Sequence, residues 1–128
     1  MTRKEFEDIV LDRYNVVADY PFKEDFETAV FRHQSNGKWF AIAMNISEKK
    51  LGKDTDKQTI VVNFKSNPEI IESFVENEVG VYPAYHMNKK HWLTVALSEC
   101  DDATISWLLS ISYDLTKAKI KNRGEKNA

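Results

Sequence analysis

The chain has a single cysteine, Cys100, among 128 residues. That excludes an intramolecular disulfide and a thiolate-rich zinc cage, and it points to a reducing compartment. Glycine is nearly as scarce, and the four glycines stand apart at 37, 52, 80 and 124. No glycine-rich loop is therefore available to cradle a phosphate with backbone amides. No run approaches the roughly 20 apolar residues of a bilayer span, and Met1 to Asp8 lack the apolar stretch of a secretory signal. A cytoplasmic address follows by exclusion. Charge of one sign is also missing: 18 Lys plus Arg face 20 Asp plus Glu, for a formal net charge of -2. This is not the strongly basic balance of a protein that coats phosphate backbone broadly.

The residues that are present suit one ordinary domain. With 42% hydrophobic, 12% aromatic and 30% charged residues, the chain has enough apolar side chain to bury a core. One domain is expected over residues 1–120, followed by a basic, frayed tail over 121–128. Lys117, Lys119, Lys121, Arg123 and Lys126 face only Glu125 near that end, whereas residues 1–30 hold eight acidic side chains against four basic ones. The tail reads either as an arm that follows phosphates or as a solubilising end that complements a helix dipole.

Periodicity orders the rest. Thr2 and Glu5 have capping-box spacing, and Phe6, Ile9, Val10, Tyr14 and Val17 recur at helical intervals, which predicts a helix over about 3–15 ending before Pro21. Residues 28–33 and 38–45 flank Gln34-Ser35-Asn36-Gly37 as a β-hairpin, because Asn-Gly tolerates positive φ. The charged stretch 47–57 leads to a β-branched strand at 59–64. Ser66 and Glu69 repeat the capping-box spacing, and with Pro68 they predict a second helix that stops before Gly80. Strands at 81–85 and 91–97 enclose the turn Met87-Asn88-Lys89-Lys90. Asp101 or Asp102 then caps a last helix with Ile105, Leu108, Leu109, Ser112 and Leu115 on one face. The order α-β-β-β-α-β-β-α, with short turns between neighbours, predicts an α+β two-layer domain: an antiparallel five-stranded sheet with helices on one face. The expected core includes Phe6, Ile9, Trp39, Ile42, Val62, Phe74, Trp92, Val95, Ile105 and Leu108.

The run Gly80-Val81-Tyr82-Pro83-Ala84-Tyr85-His86-Met87-Asn88-Lys89-Lys90-His91-Trp92 strongly resembles the MmcQ/YjbR family of small bacterial proteins. Tyr20-Pro21-Phe22, Lys38-Trp39-Phe40-Ala41 and Ser112-Tyr113-Asp114-Leu115 agree with it in order, so the resemblance spans about residues 3–117. It implies a fold similar to that of type III secretion chaperones and of CyaY, and a DNA-binding role in which two β-hairpins act as a double wing. Fold alone does not establish such a role.

The candidate contact residues for DNA are Asn88, Lys89, Lys90 and His91 at the second hairpin and Lys38 at the first. Lysines would supply charge to phosphates and Asn88 a hydrogen bond. The plainer alternative is a solvated turn with Trp92 in the core. Tyr82, Pro83, His86, Trp92, Ser112 and Tyr113 are family-motif residues read as structural, with His86 a hydrogen-bonded anchor of its loop and Ser112 a small residue that lets the last helix approach the sheet.

His86 and His91 lie across a turn without a carboxylate cluster, and His33 comes from another strand, so neither a metal site nor any other cofactor is expected. Cys100 lacks a local motif that would activate it, and Ser112-Tyr113 has neither the glycines nor the strand-to-helix turn of a nucleophile elbow. A non-enzymatic binding protein is therefore expected, with DNA as the partner the resemblance implies. The rival is a protein-interaction or chaperone-like adaptor that holds a peptide or protein along its sheet, which the acidic balance favours.

Overall fold

Thr2 opens the first helix with both halves of the predicted capping box: Glu5 N donates to Thr2 Oγ1 at 3.1 Å, and Thr2 N donates to Glu5 Oε1 at 2.8 Å. Helix α1 runs Arg3–Tyr14 and ends where Asn15 turns left-handed at φ 55. In the computed structural model, which describes residues 1–118, five strands follow. They are β1 (Ala29–Arg32), β2 (Trp39–Ser47), β3 (Gln58–Lys65), β4 (Val81–Pro83) and β5 (Trp92–Ala96). Helix α2 (Pro68–Asn77) precedes β4, and α3 (Asp102–Thr116) follows β5. The expected tail at 121–128 lies outside the described residues. Every neighbouring pair of strands is antiparallel, and the sheet order is β1-β2-β3-β5-β4. This is the mixed α+β fold that the element order predicted.

The β1–β2 turn uses Gly37 at φ 72, as Asn-Gly led us to expect, and Asn36 does more than permit it. Its Oδ1 accepts from Lys38 N at 2.9 Å, while its Nδ2 donates to Thr116 O at 2.9 Å and ties the turn to the end of α3. At α2 the expected cap is displaced by one residue. Asn67, not Ser66, is the N-cap, with Oδ1 accepting from Ile70 N at 2.9 Å. Proline at the first helical position forces its predecessor into extended backbone, so the capping side chain must sit at 67. Ser66 is still engaged at the end of the sheet, where its N donates to His91 O at 2.9 Å.

Strand alternation sends side chains to two faces. Val62 and Phe64 of β3, Leu93 and Val95 of β5, and Ala41 and Ala43 of β2 meet Phe6, Val10, Ile71, Ile105, Leu108 and Leu109 of the helices in one buried cluster. The ring of Phe6 stands edge-on to Phe31 with centroids 5.5 Å apart, and Tyr14 stacks on Tyr113 at 3.8 Å. Val30, Ile42, Met44, Ile46, Val61 and Ala96 form a second cluster on the opposite face, to which no α-helix contributes and against which Leu51 of the short 3-10 turn Glu48–Leu51 packs. Trp39 and Trp92, expected in the core beside the helices, belong to this second cluster and are half-buried. Ile42 is buried as expected but in the same second cluster, while Ile9 and Phe74 are half-buried at the border of the first.

The buried face of α3 also differs from expectation at its end: Leu115 is exposed and Thr116 is buried. Thr116 follows Ile105 by eleven residues, close to three full turns, and so returns to the same side of the helix. Ser112 fastens α3 to two strands at once. A bulge in β2 pairs Phe31 with Ala41 and Arg32 with Trp39, skipping Phe40. The Ser112 hydroxyl donates to Phe40 O and accepts from Lys65 N, the latter at 2.8 Å. Ser112→Ala is expected to leave both backbone groups buried without a partner and to lower stability by about 1–3 kcal/mol. Equilibrium urea unfolding measures this, and an unchanged midpoint would show that the hydroxyl fastens nothing.

Candidate functional site

Two loops, rather than a helical layer, border the second face. The first, residues 20–28, is tethered by a two-way backbone bridge between Asp19 and Val30, with N···O distances of 2.9 and 2.8 Å. Within it the Asp25 carboxylate accepts from Glu27 N and Thr28 N, each at 3.0 Å, and from the Thr28 hydroxyl. These bonds to the charged form, the hydroxyl's foremost, hold its pKa below the ordinary aspartate value. The loop delivers Phe22 edge-on to Trp39, with centroids 6.0 Å apart and an interplanar angle of 86°.

The second loop, 84–91, curls over the same face and is pinned from the strands beneath. Asn63 Nδ2 donates to Tyr85 O at 2.8 Å, Tyr85 N donates to Thr94 Oγ1 at 2.8 Å, and the Thr94 hydroxyl donates to Asn63 Oδ1. Asn63 and Thr94 are completely buried, so the sheet spends two polar residues on shaping this loop. His86 then takes φ 61, a conformation rare outside glycine and asparagine, and its ring centroid lies 3.9 Å from that of Tyr85. This corrects the reading of His86 as the anchor. Its side chain is exposed and makes no hydrogen bond among the described residues; Asn63 and Thr94 anchor the loop through the neighbouring backbone.

Between the loops runs a groove of about 560 Å³, floored by Ile42, Met44 and Asn63 and walled by Phe22 and Trp39 on one side and Tyr85 on the other. A recess of about 350 Å³ adjoins it, sharing Tyr85 and His86 and adding Lys50, Tyr82 and Lys89.

The residues singled out from sequence gather at one end of the sheet. Register pairs Arg32 with Trp39 and Lys65 with Trp92, so the 33–38 turn and the 84–91 loop open from the same edge of the layer. Lys38, Asn88, Lys89, Lys90 and His91 are all exposed there. Asn88 organises the turn: its Oδ1 accepts from Lys90 N at 2.8 Å, and its backbone oxygen accepts from Trp92 N at 2.9 Å. Lys89 folds back so that Nζ donates to Ala84 O at 2.8 Å. Lys89 and Lys90 share a shallow depression with Glu72 and Glu76 of α2, although no ion pair to a carboxylate forms there among the described residues.

The other motif residues make contacts within the fold. The Tyr82 hydroxyl donates to Glu99 Oε1 at 2.7 Å, and Glu99 in turn holds Lys53 at 2.9 Å. Pro83 ends the edge strand β4, and Tyr113 stacks on Tyr14.

The candidate reactive groups stay apart. His33 is buried against Phe40 and Tyr113 on the helical side, with Nε2 2.8 Å from Thr116 Oγ1, and burial lowers its pKa. His86 borders the groove on the opposite side of the sheet. Burial pushes the Cys100 thiol up to about 11, which keeps it protonated at neutral pH. No group of three His, Cys, Asp or Glu side chains converges among the described residues. No described helix is long and apolar enough to cross a membrane.

Periodicity did not reveal Phe22, Met44, Asn63, Tyr85, Met87 or Lys50 as parts of one site. A signal existed in β2 and β5, where apolar residues occupy both alternating sets (Ala41 and Ala43 against Ile42, Met44 and Ile46). Such strands need cover on both faces.

The architecture defines a small α+β protein with one sheet face covered by α-helices and one loop-bordered, grooved face. The YjbR family model matches residues 11–115, and the chain belongs to that family. It is 35% identical over 118 residues to the protein YyaQ of Bacillus subtilis (strain 168), covering 91% of this chain and 99% of that one. A crystal structure of a Pseudomonas syringae protein superposes with a TM-score of 0.88 at 39% identity, covering 91% of this chain and all of the other. Deinococcus radiodurans DR2400 is more distant, with a TM-score of 0.68 and 26% identity over 98% of this chain and 86% of that one. Of the four stretches that carried the family resemblance, three meet at the groove through Phe22, Trp39 and Tyr85 to Met87, and the fourth fastens α3 to the sheet.

Proposed function

We propose that this protein is a non-enzymatic DNA-binding protein whose contact surface is the end of the sheet where the 33–38 turn and the 84–91 loop emerge together. One observation carries the reading. Lys38, distant in sequence from the consecutive Lys89, Lys90 and His91, is exposed with them on those two segments, and none of the four is paired with a carboxylate among the described residues. Unpaired lysines on two loops at one end of the sheet supply phosphate contacts, while the acidic remainder confines the attraction to that end. The rival reading, a peptide or protein held along the sheet, loses its simplest route. The β1 edge is bridged by Asp19, and β4 is three residues long and ends in Pro83, so neither edge invites an added strand.

Lys89→Glu combined with Lys90→Glu tests the proposal. Binding to several unrelated duplexes is expected to weaken about equally, because the lysines touch backbone, and the salt dependence should become shallower by about two phosphate contacts. If folded wild-type protein binds no DNA at low salt, the proposal fails and the protein-interaction reading takes its place.

A further inference from the structure

We propose that the groove on the sheet face without α-helices is a stacking slot for the bases of single-stranded DNA, with the adjoining Lys50–Lys89 recess taking the phosphate of the inserted nucleotide. This deepens the DNA-binding reading and rests on it.

The walls of the groove present flat aromatic surfaces on both sides. Phe22 is 40% exposed in a loop and meets half-buried Trp39 edge-on, while Tyr85 and His86 lie opposite with ring centroids 3.9 Å apart. Every base offers a π-face to such surfaces, and the gain depends little on which base it is. Asn63, the polar residue of an otherwise apolar floor, contributes little base-specific reading, because it already engages Tyr85 O through its amide and the Thr94 hydroxyl through its carbonyl. The slot is therefore tolerant of sequence.

Charge decides between a nucleotide and an apolar peptide as the occupant. The recess that shares Tyr85 and His86 with the groove adds two lysines and no carboxylate. Lys50 has no carboxylate partner among the described residues. Lys89 uses one of its three N–H donors on Ala84 O and keeps two for a phosphate oxygen. Among the described residues Asp25 is the one acidic side chain lining either space, and its oxygens are taken by Glu27 N, Thr28 N and the Thr28 hydroxyl. An apolar floor, aromatic walls and a cationic flank match a stacked base followed by its phosphate. A duplex keeps its bases paired and stacked inside, so only an unpaired strand can fill the slot.

The test is fluorescence anisotropy at low salt with a labelled oligothymidylate of about a dozen nucleotides, in the range of a single-strand site, and a labelled duplex of the same length. Wild-type protein is expected to bind the single strand at least about tenfold more tightly than the duplex, and Trp39→Ala to weaken single-strand binding about tenfold with the duplex nearly unchanged. Phe22→Ala, at an exposed loop position, should weaken single-strand binding in the same direction even if Trp39→Ala fails to fold. Trp107→Ala serves as the aromatic control, because Trp107 stacks on Phe74 away from the groove and should leave binding unchanged. Duplex binding without a preference for the single strand, or single-strand binding insensitive to Phe22→Ala, would overturn the slot while leaving the DNA-binding reading intact. Absence of binding to either probe would overturn both.

Discussion

Gly80→Ala is expected to destabilise the protein by roughly 2–5 kcal/mol, combining a left-handed backbone cost of about 1–2 kcal/mol with an overpacking cost of about 1–3 kcal/mol. Gly80 sits at φ 84 between α2 and β4, and a Cβ there would lie 2.5 Å from Cys100 N and 2.9 Å from Cys100 Cα. Both obstacles are backbone, so no side-chain rotation relieves them. The same segment is held on its other side by Ala96 N donating to Gly80 O at 2.8 Å, which leaves β4 little room to retreat. Gly37 is the comparison: it too has positive φ, at 72, but open space where a Cβ would go. Gly37→Ala should therefore lose only the backbone part, about 1–2 kcal/mol. Equal losses at the two positions in urea unfolding would show that the approach of Cys100 is not what requires glycine at 80.

Leu108→Ala is the second large effect, with an expected loss of about 2–5 kcal/mol. Leu108 is completely buried in the cluster that joins α3 to the sheet, beside Ile105 and Leu109. Removing its branched end leaves a cavity between a helix fastened by Ser112 and strands fastened to each other, so the site cannot collapse fully. Leu115→Ala, one to two turns further along at a half-exposed position, should change stability by no more than about 0.5 kcal/mol. A loss below that size at Leu108 would mean that the face of α3 is assigned wrongly.

These two positions show what was legible in the sequence. The inward face of α3 follows from helical spacing, and Leu108 stands on it without any knowledge of the sheet. The need for glycine at 80 has no local signal beyond a helix stop, because the atom that forbids a side chain comes from Cys100, twenty residues later. Local chemistry explains the capping box at Thr2 and Glu5 and the turn at Asn36-Gly37. It misplaced the cap of α2 because Ser66 and Asn67 are both good caps, and the choice fell to the backbone constraint of Pro68.

The site divides along the same line. Lys38 and the Asn88 to His91 run stand out as exposed turn residues from their neighbours alone, and the structure brings them to one end of the sheet. The groove beside them was hidden because its walls come from three separated segments, around 22, 39 and 85, and their meeting depends on sheet order. Trp39 and Trp92 illustrate the difficulty. An alternating strand states that they lie on the face opposite Phe40 and Leu93, but not which face the helices cover.

A local cationic surface on an acidic protein makes DNA binding salt-dependent, and a salt titration of DNA binding tests this most directly. With Lys38, Lys50, Lys89 and Lys90 available, the logarithm of the association constant is expected to fall linearly with the logarithm of salt concentration, with a slope of roughly -2 to -4 at about 0.7–0.9 per phosphate neutralised. Lys89→Glu with Lys90→Glu should make that slope shallower by about two while leaving thermal unfolding unchanged. A flat salt dependence, or no binding at low salt by protein that unfolds cooperatively, would contradict the account.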